Sequence, residues 1–169
     1  WTYTPLRFWP TEGQINFYAY APYKDSKKLK ENTTTFDFIV ADNAAGQEDL
    51  LWANATGQIT ANGGSTQEKV KIHFYHALSR LGYSVKLYGD YSSSNAIFTL
   101  KSIKLAGSSD GTKGAFYETG TIDLSKTPSS EGLWTNLSSD KQNFLNWFSG
   151  DKTLSNAETK NPDDEYLFV

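Results

Sequence analysis

The two histidines of the chain, His73 and His76, lie three residues apart within the stretch 69–81. On a helix this spacing would place both imidazoles on one face, where they could share a metal ion or relay a proton. In a strand, residues three apart point to opposite faces, and neither chemistry is available to the pair. The secondary structure of this stretch therefore decides whether the histidines form a site.

The stretch that holds the histidines alternates between two sets of side chains. One set, spaced by two, is Val70, Ile72, Phe74, His76 and Leu78. Such alternation is typical of a strand with one buried face and fits a helix less well. After residue 78 the parity of the apolar set reverses, which predicts strands over 70–78 and 81–88 with a bulge or bend near Ser79. We therefore expect His76 to be buried and neutral, bonded to backbone near the bend and binding no metal, with His73 on the opposite face.

Paired carboxylates are the remaining groups with catalytic potential, because two of them suffice for glycoside hydrolysis. The acidic residues in or beside predicted strands are Asp37, Asp49, Glu118, Asp123, Asp163, Asp164 and Glu165. The sequence pairs no two of them across a cleft, so solvated outward positions are the expected explanation. The run 42–49 lacks oxygen ligands at the third and fifth positions of a calcium loop and is interpreted as a turn.

Motifs of common enzyme classes are absent from the chain. It has no cysteine, which excludes disulfides, thiolate metal sites and a cysteine nucleophile. Neither H-E-x-x-H, G-x-S-x-G, a P-loop nor a dinucleotide-binding glycine pattern occurs. The sequence therefore predicts no catalytic residue, no cofactor and no metal ligand.

The charge pattern limits the classes of partner that the chain could bind. The net charge is −3, and no basic stripe interleaved with aromatic residues occurs, which argues against a nucleic-acid partner. The lysine-rich run 24–30 is expected to be a solvated loop. No apolar run approaches the ~18 residues that a membrane span needs, so we expect a soluble segment. Because the chain opens on Trp1 without an initiator methionine, we expect it to derive from a longer precursor.

Aromatic residues make up 15% of the chain and are the more promising binding candidates. The tyrosines and tryptophans considered are Tyr18, Tyr20, Tyr23, Trp52, Tyr88, Tyr91 and Trp134. Exposed aromatic side chains could stack on sugar rings or contact a protein partner. Core packing and pairing across a sheet are the competing explanation for most of them.

Short alternating runs separated by turn-rich stretches predict an all-β, antiparallel two-layer sandwich that forms a single domain over 1–169. The predicted strands are 15–21, 35–40, 49–53, 70–78, 81–88, 97–105, 115–124 and 165–169. One short helix is predicted near 139–149, where Ser138 or Ser139 could cap an apolar face that ends at Gly150.

Four stretches carry a family likeness: F-W-P at 8–10, F-Y-A-Y-A-P-Y at 17–23, D-L-L-W-A at 49–53 and I-H-F-Y-H-A-L-S-R-L at 72–81. In this combination and order the chain resembles the fimbrillin-like proteins of Bacteroidales, the major and minor fimbrial subunits. The residues matched to the family signature are Trp9, Pro10, Trp52, Phe74, His76, Ala77, Leu78 and Ser79. The likeness covers 1–105, and 165–169 resembles the strand that ends the family's first domain.

The resemblance implies a transthyretin-like sandwich, a secreted lipoprotein precursor and a non-enzymatic role in a fimbria at the cell surface or outer membrane. It also implies other fimbrial subunits as partners, joined by β-strand addition after proteolytic removal of an N-terminal strand. Backbone hydrogen bonds would supply the affinity and side-chain pockets the register. We therefore expect a sheet edge flanked by an apolar trough that is empty or filled by a terminal segment.

Two departures from the family pattern concern the ends of the chain. The second sandwich domain, the leader and the lipidated cysteine of the family are missing here, so the segment is expected to be the first domain of its precursor. Two other functions stay open at this stage. One is a module on the same sandwich that binds a carbohydrate or a host protein, which would show a contiguous exposed aromatic patch. The other is a small glycosidase, which would show two facing carboxylates ~5 to ~10 Å apart.

Overall fold

The computed structural model describes residues 8–24, 29, 32–41, 44–59, 70–110, 114, 116–128, 132–137, 145–157, 159–160 and 166–169. The strands in these ranges are β1 (Ile15–Ala21), β2 (Thr35–Ile39), β3 (Leu51–Gln58), β4 (Tyr75–His76), β5 (Ser79–Leu81), β6 (Ser84–Val85), β7 (Thr99–Leu105), β8 (Thr119–Asp123), β9 (Trp134–Thr135), β10 (Leu145–Thr153), β11 (Thr159–Lys160) and β12 (Tyr166–Phe168). A short 3₁₀ turn spans Ala44–Gly46. Within the described ranges no helix is long and apolar enough to cross a membrane.

Two three-stranded antiparallel sheets enclose the main core. The first sheet has the order β1-β3-β4 and the second has the order β2-β8-β9. The buried cluster between them consists of Phe36, Phe38, Val40, Leu50, Trp52, Ala77, Leu78, Ile122 and Leu124. Since both sheets contribute to this cluster, the predicted all-β sandwich is confirmed. Three further antiparallel pairs, β7 with β10, β6 with β11 and β5 with β12, complete the strand pairing.

Strand β2 shows the alternation that its sequence predicts. Phe36 and Phe38 are buried, whereas Thr35, Asp37 and Ile39 are exposed. The strand pairs antiparallel with β8, and Phe38 lies opposite Gly120. Because successive side chains of a strand point to opposite faces, the period of two in this run identifies its buried face correctly.

Strand β1 presents its tyrosines, not its smaller residues, to the core. Tyr18 and Tyr20 pack against the buried cluster, and the Tyr20 ring lies 4.9 Å from the ring of Phe36. On the other face, Phe17 makes an edge contact with Trp9 at 5.9 Å. The large tyrosine rings bury more apolar area than alanine would. Tyr18 and Tyr20 are therefore packing residues in this chain.

The long strand predicted over 70–78 is not formed. Pairing with β3 is limited to the two residues of β4, and Ile72 and Phe74 are exposed. The predicted break is present, because Ala77 and Leu78 separate β4 from β5 and are both buried. The second predicted strand, 81–88, is likewise reduced to the end of β5 and to β6.

The helix predicted near 139–149 is wrong over its second half. Residues 145–149 belong to β10, which pairs antiparallel with β7, while 139–144 lie outside the described residues. The register of β10 shifts twice, between Asn146 and Phe148 and between Ser149 and Lys152. Such bulges displace the strand's period of two, so its apolar residues resemble one side of a helix. Gly150, at φ 153°, lies in the second irregularity and continues the strand.

An amide side chain fastens one layer of the sandwich to the other. The Asn54 Nδ2 group on β3 donates to the carbonyl oxygens of Leu124 and Lys126, both at 2.7 Å. These carbonyls belong to the turn that follows β8. The two bonds satisfy carbonyl oxygens that lie beyond the end of β8. Polar groups that are removed from water need such partners.

Candidate functional site

The strand nearest the end of the chain is held against the sandwich by a short strand partner. Strand β12 pairs antiparallel with β5, with Leu167 opposite Arg80 and Phe168 opposite Ser79. The pair is only three residues long. Strand β5 follows directly on the buried Ala77 and Leu78. The break after β4 therefore places β5, and with it the paired β12, at the edge of the core.

The side chain of Gln47 bonds β12 in the manner of a neighbouring strand. Its Oε1 accepts the Leu167 N–H at 2.6 Å, and its Nε2 donates to the Leu167 carbonyl oxygen at 3.2 Å. The same Nε2 also donates to the carbonyl oxygen of Ala41 at 3.0 Å. One amide thus satisfies both main-chain groups of a strand residue, as a residue of a paired strand would.

The inner side of β12 contacts the core. Leu167 and Val169 pack against the buried cluster. At Gly120 on β8, an added Cβ would lie 3.0 Å from Trp134 Cε3 and 3.3 Å from Val169 Cγ1. The absence of a side chain at Gly120 is therefore what lets Trp134 and Val169 approach the sheet closely.

Two hydrogen bonds to the main chain of the buried Ala77 connect the elements beneath β12. Trp134 Nε1 donates to the Ala77 carbonyl oxygen at 3.0 Å, and the Ala77 N–H donates to the Leu50 carbonyl oxygen at 2.8 Å. They join β9 to the turn between β4 and β5 and that turn to the start of β3. We call the region formed by β5, Gln47, Gly120 and Trp134 the β12 site.

His76 does not lie in the core, and the prediction that it is buried is wrong. Its side chain is 73% exposed, and its Nδ1 lies 2.6 Å from Asp49 Oδ2 instead of bonding backbone. The reason is the register, because β4 pairs His76 with Leu51, close to Asp49, and the next two residues take the core positions. The other carboxylate oxygen, Asp49 Oδ1, is buried and has no hydrogen-bond partner among the described residues.

The residues of the family signature fall into two groups in the structure. Trp52, Ala77 and Leu78 lie together in the core. The remaining ones are exposed or, for Pro10, half-buried: Trp9, Pro10, Phe74, His76 and Ser79. Five of the eight matched residues, at 74 and 76–79, thus lie at or beside the turn that leads into the β12 site.

Three of the carboxylates singled out from the sequence, Asp37, Asp49 and Asp123, are engaged by neutral or basic neighbours. Asp163, Asp164 and Glu165 lie outside the described residues. Asp37 accepts a hydrogen bond from Thr121 at 2.6 Å. Burial by itself raises the pKa of Asp123, but hydrogen bonds from Ser125 and Thr34 and the charge of Lys126 outweigh it and leave the pKa below its ordinary value. In the part of the chain that the structure describes, no group of three or more His, Cys, Asp or Glu residues could hold a metal ion.

Gln47 and Gly120 are functional residues of the β12 site that sequence reasoning missed. Gln47 lies 120 positions from the strand that it bonds, and a lone glutamine in a polar stretch carries no local signal. Gly120 lies in a predicted strand, and a glycine inside a strand does mark close approach of another chain segment. That signal was available in the sequence for Gly120.

Comparison with known proteins identifies a family to which the chain is similar. A family model described as fimbrillin-like matches residues 1–161. The chain belongs to the fimbrillin-like family. No curated protein and no solved structure gives a significant match. The fimbrillin-like family is typically structural, and membership implies a fimbrial subunit at the cell surface that assembles with other subunits. Because the match ends before β12, any role of this strand is argued from the structure alone.

Proposed function

We propose that this fimbrillin-like chain is a non-enzymatic structural subunit of a bacterial surface fimbria, and that it assembles by β-strand addition at the β12 site. The observation that carries the proposal is the way β12 is held. Among the described residues its main-chain partners are one three-residue strand and one amide side chain, while Leu167 and Val169 pack on the core. A strand from a neighbouring subunit would find the same backbone partners and the same apolar surface.

The energetics of this site suit an exchangeable strand. Each main-chain hydrogen bond contributes about 0.5–1.5 kcal/mol net, and burial of an apolar side chain adds about 1.5–3 kcal/mol. The bonds to Gln47 and the packing of Leu167 and Val169 therefore stabilise β12 by a few kcal/mol, which is enough for a defined register. A longer donor strand would form more bonds and would displace β12, since strand addition combines backbone bonding with side-chain pockets.

The remaining features of the proposal are suggested by the family resemblance. The partners would be other fimbrial subunits, and the chain would be the first domain of a precursor that is exported and anchored by a lipid to the outer membrane. Proteolytic removal of an N-terminal precursor strand, as the family resemblance implies, would precede the step in which a neighbour's strand displaces β12.

Self-association tests the proposal directly. Light scattering on the purified chain should show oligomers, and a synthetic peptide with the sequence of residues 163–169 should dissociate them by occupying the β12 site. The matched control is the same peptide carrying Leu167→Asp, which retains the backbone and loses the apolar contact. A chain that remains monomeric over its soluble concentration range and binds neither peptide would contradict assembly at this site.

A further inference from the structure

The segment 88–98, which connects β6 to β7, carries exposed aromatic side chains that the assembly site does not use. Tyr88 is fully exposed, and Ile97 is 79% exposed. The rings of Tyr91 and Phe98 lie 4.7 Å apart with an interplanar angle of 49°. An added Cβ at Gly89 would lie 3.1 Å from Tyr91 Cε2, so the Tyr91 ring is held between the Gly89 backbone and Phe98.

Short-range hydrogen bonds fix the conformation of this segment. The Ser92 N–H donates to Asp90 Oδ1 at 2.9 Å, and the Ser94 N–H donates to the Tyr91 carbonyl oxygen at 3.0 Å. The Ala96 N–H donates to Ser94 Oγ at 3.3 Å. Such side-chain-to-backbone bonds are those that stabilise turns.

Both ends of the segment are anchored to one stretch after β10. The Leu87 N–H donates to the Ser155 carbonyl oxygen at 3.0 Å, and the Leu154 N–H donates to the Phe98 carbonyl oxygen at 2.9 Å. The exposed rings are therefore presented on a preorganised loop, which lowers the entropic cost of binding.

Polar groups with defined hydrogen-bonding capacity lie in this segment and beside it. Hydrogen bonds from Ser92, and a further one from the side chain of Asn156, hold the pKa of Asp90 below its ordinary value. Asp90 is thus an ionised acceptor at neutral pH, and in the sequence it lies between Tyr88 and Tyr91. The Asn156 amide supplies both a donor and an acceptor beside it.

We propose that the loop 88–98 is a binding site for a neutral pyranose sugar, with Tyr88 stacking on the sugar ring and Asp90 and Asn156 bonding its hydroxyls. The face of an aromatic ring carries partial negative charge and attracts the C–H groups on the apolar face of a pyranose. Vicinal hydroxyls donate hydrogen bonds to a carboxylate, and such charge-assisted bonds are stronger than neutral ones.

The same features disfavour other ligands. A nucleic-acid strand also stacks on aromatic rings but needs a positively charged groove, whereas the carboxylate of Asp90 would repel phosphates. A protein partner needs about 20–30 residues a side for a stable interface, and this loop offers four exposed apolar side chains. An acidic sugar would bring a second carboxylate near Asp90, so the selectivity is for uncharged hexoses.

Saturation-transfer NMR on the intact chain tests this site with three probes, methyl β-glucoside, methyl β-galactoside and methyl α-mannoside, each at millimolar concentration. At least one should receive saturation at its ring C–H protons. Tyr88→Ala should reduce that transfer at least tenfold, and the fold should be retained because the Tyr88 ring is fully exposed. The matched control is Tyr23→Ala, which removes another exposed tyrosine and should leave the transfer unchanged.

The role of the carboxylate has its own readout. Methyl β-glucuronide should receive several-fold less saturation than methyl β-glucoside in the wild-type chain. In Asp90→Asn, which keeps an acceptor oxygen for Ser92, the two signals should become similar. Absence of transfer to all three neutral probes, persistence of the transfer in Tyr88→Ala, or equal signals for the glucuronide and the glucoside in the wild type would each overturn the proposal. None of these results depends on β12, so they leave the assembly proposal unaffected.

Discussion

The side-chain amide of Gln47 hydrogen-bonds both the N–H and the carbonyl oxygen of Leu167. A single side chain thereby takes the place of a paired strand on the side of β12 that faces away from β5. Because the two residues are 120 positions apart, the contact closes most of the chain into one loop. Gln47 is therefore the residue whose replacement should affect β12 while leaving the rest of the sandwich in place.

Gln47→Ala should lower the free energy of unfolding by about 1–3 kcal/mol, because it leaves main-chain groups of Leu167 and Ala41 without their partner. Gln47→Glu should be at least as costly, since a carboxylate can accept from the Leu167 N–H but cannot donate to the two carbonyl oxygens. Urea unfolding measures both. Gln58→Ala is the control, because among the described residues the Gln58 side chain bonds the nearby Thr56 carbonyl oxygen at 3.0 Å, and its loss should change stability little.

Gly120→Ala should destabilise the chain by about 1–3 kcal/mol through overpacking. The new methyl group would meet Trp134 Cε3 at 3.0 Å, Leu137 Cδ2 at 3.1 Å and Val169 Cγ1 at 3.3 Å. Combining Gly120→Ala with Val169→Ala should cost less than the sum of the two single changes, since the second makes room for the first. Strict additivity in thermal or urea unfolding would show that Val169 does not pack over Gly120.

Adjacent residues at the break after β4 should differ sharply in their contribution to stability. His76→Ala should lower the free energy of unfolding by at most about 1 kcal/mol, because His76 is exposed and its partner Asp49 is partly solvated. Leu78→Ala should cost about 2–5 kcal/mol, because Leu78 is buried in the core. Equal losses for the two variants in urea unfolding would contradict the observed placement of His76.

Acid should weaken the fold partly through Asp123. The pKa of Asp123 is lowered in the folded chain, so its contribution to stability is present above the unfolded value of about 3.9 and is lost as the pH falls through the folded pKa. Asp123→Asn should therefore make the free energy of unfolding less dependent on pH below about 4. The control is Asp110→Asn, at an exposed site where Asp110 accepts a hydrogen bond from Ser108. If both variants change the pH dependence of the free energy of unfolding equally, Asp123 is not the source of the effect.

The alternation of apolar and polar residues correctly predicts the strands that bury a single face. The alternation of Phe36 and Phe38 identifies β2, and residues 166–168 form β12 within the predicted strand 165–169. The pattern fails where backbone irregularity changes the parity. The two register shifts of β10 give it a helix-like apolar spacing, because a bulge adds a residue that the period of two does not count.

The β12 site was predictable only in outline. The family resemblance led to the expectation of an apolar trough beside a sheet edge, and the structure places Leu167 and Val169 against the buried cluster. The resemblance does not predict the residues that form the β12 site, because Gln47 and Leu167 are brought together by tertiary packing alone. The exposure of His76 was missed for a related reason, since the register that pairs it with Leu51 depends on where β3 begins.

Strand addition at the β12 site is the central claim. Between copies of the purified chain the added strand is β12 of the second copy, and disulfide trapping measures this most directly because the chain has no cysteine of its own. Ser79 and Phe168 lie opposite each other in the β5–β12 pair, so Ser79→Cys and Phe168→Cys are made in separate chains and mixed under mild oxidation. If a strand of one chain occupies the β12 site of another, the mixture forms a covalent heterodimer, and the peptide of residues 163–169 suppresses it. Ser94→Cys mixed with Phe168→Cys is the control for random collision, because Ser94 is exposed in the loop 88–98. A cross-linking yield no higher than that of the control would contradict strand addition at the β12 site.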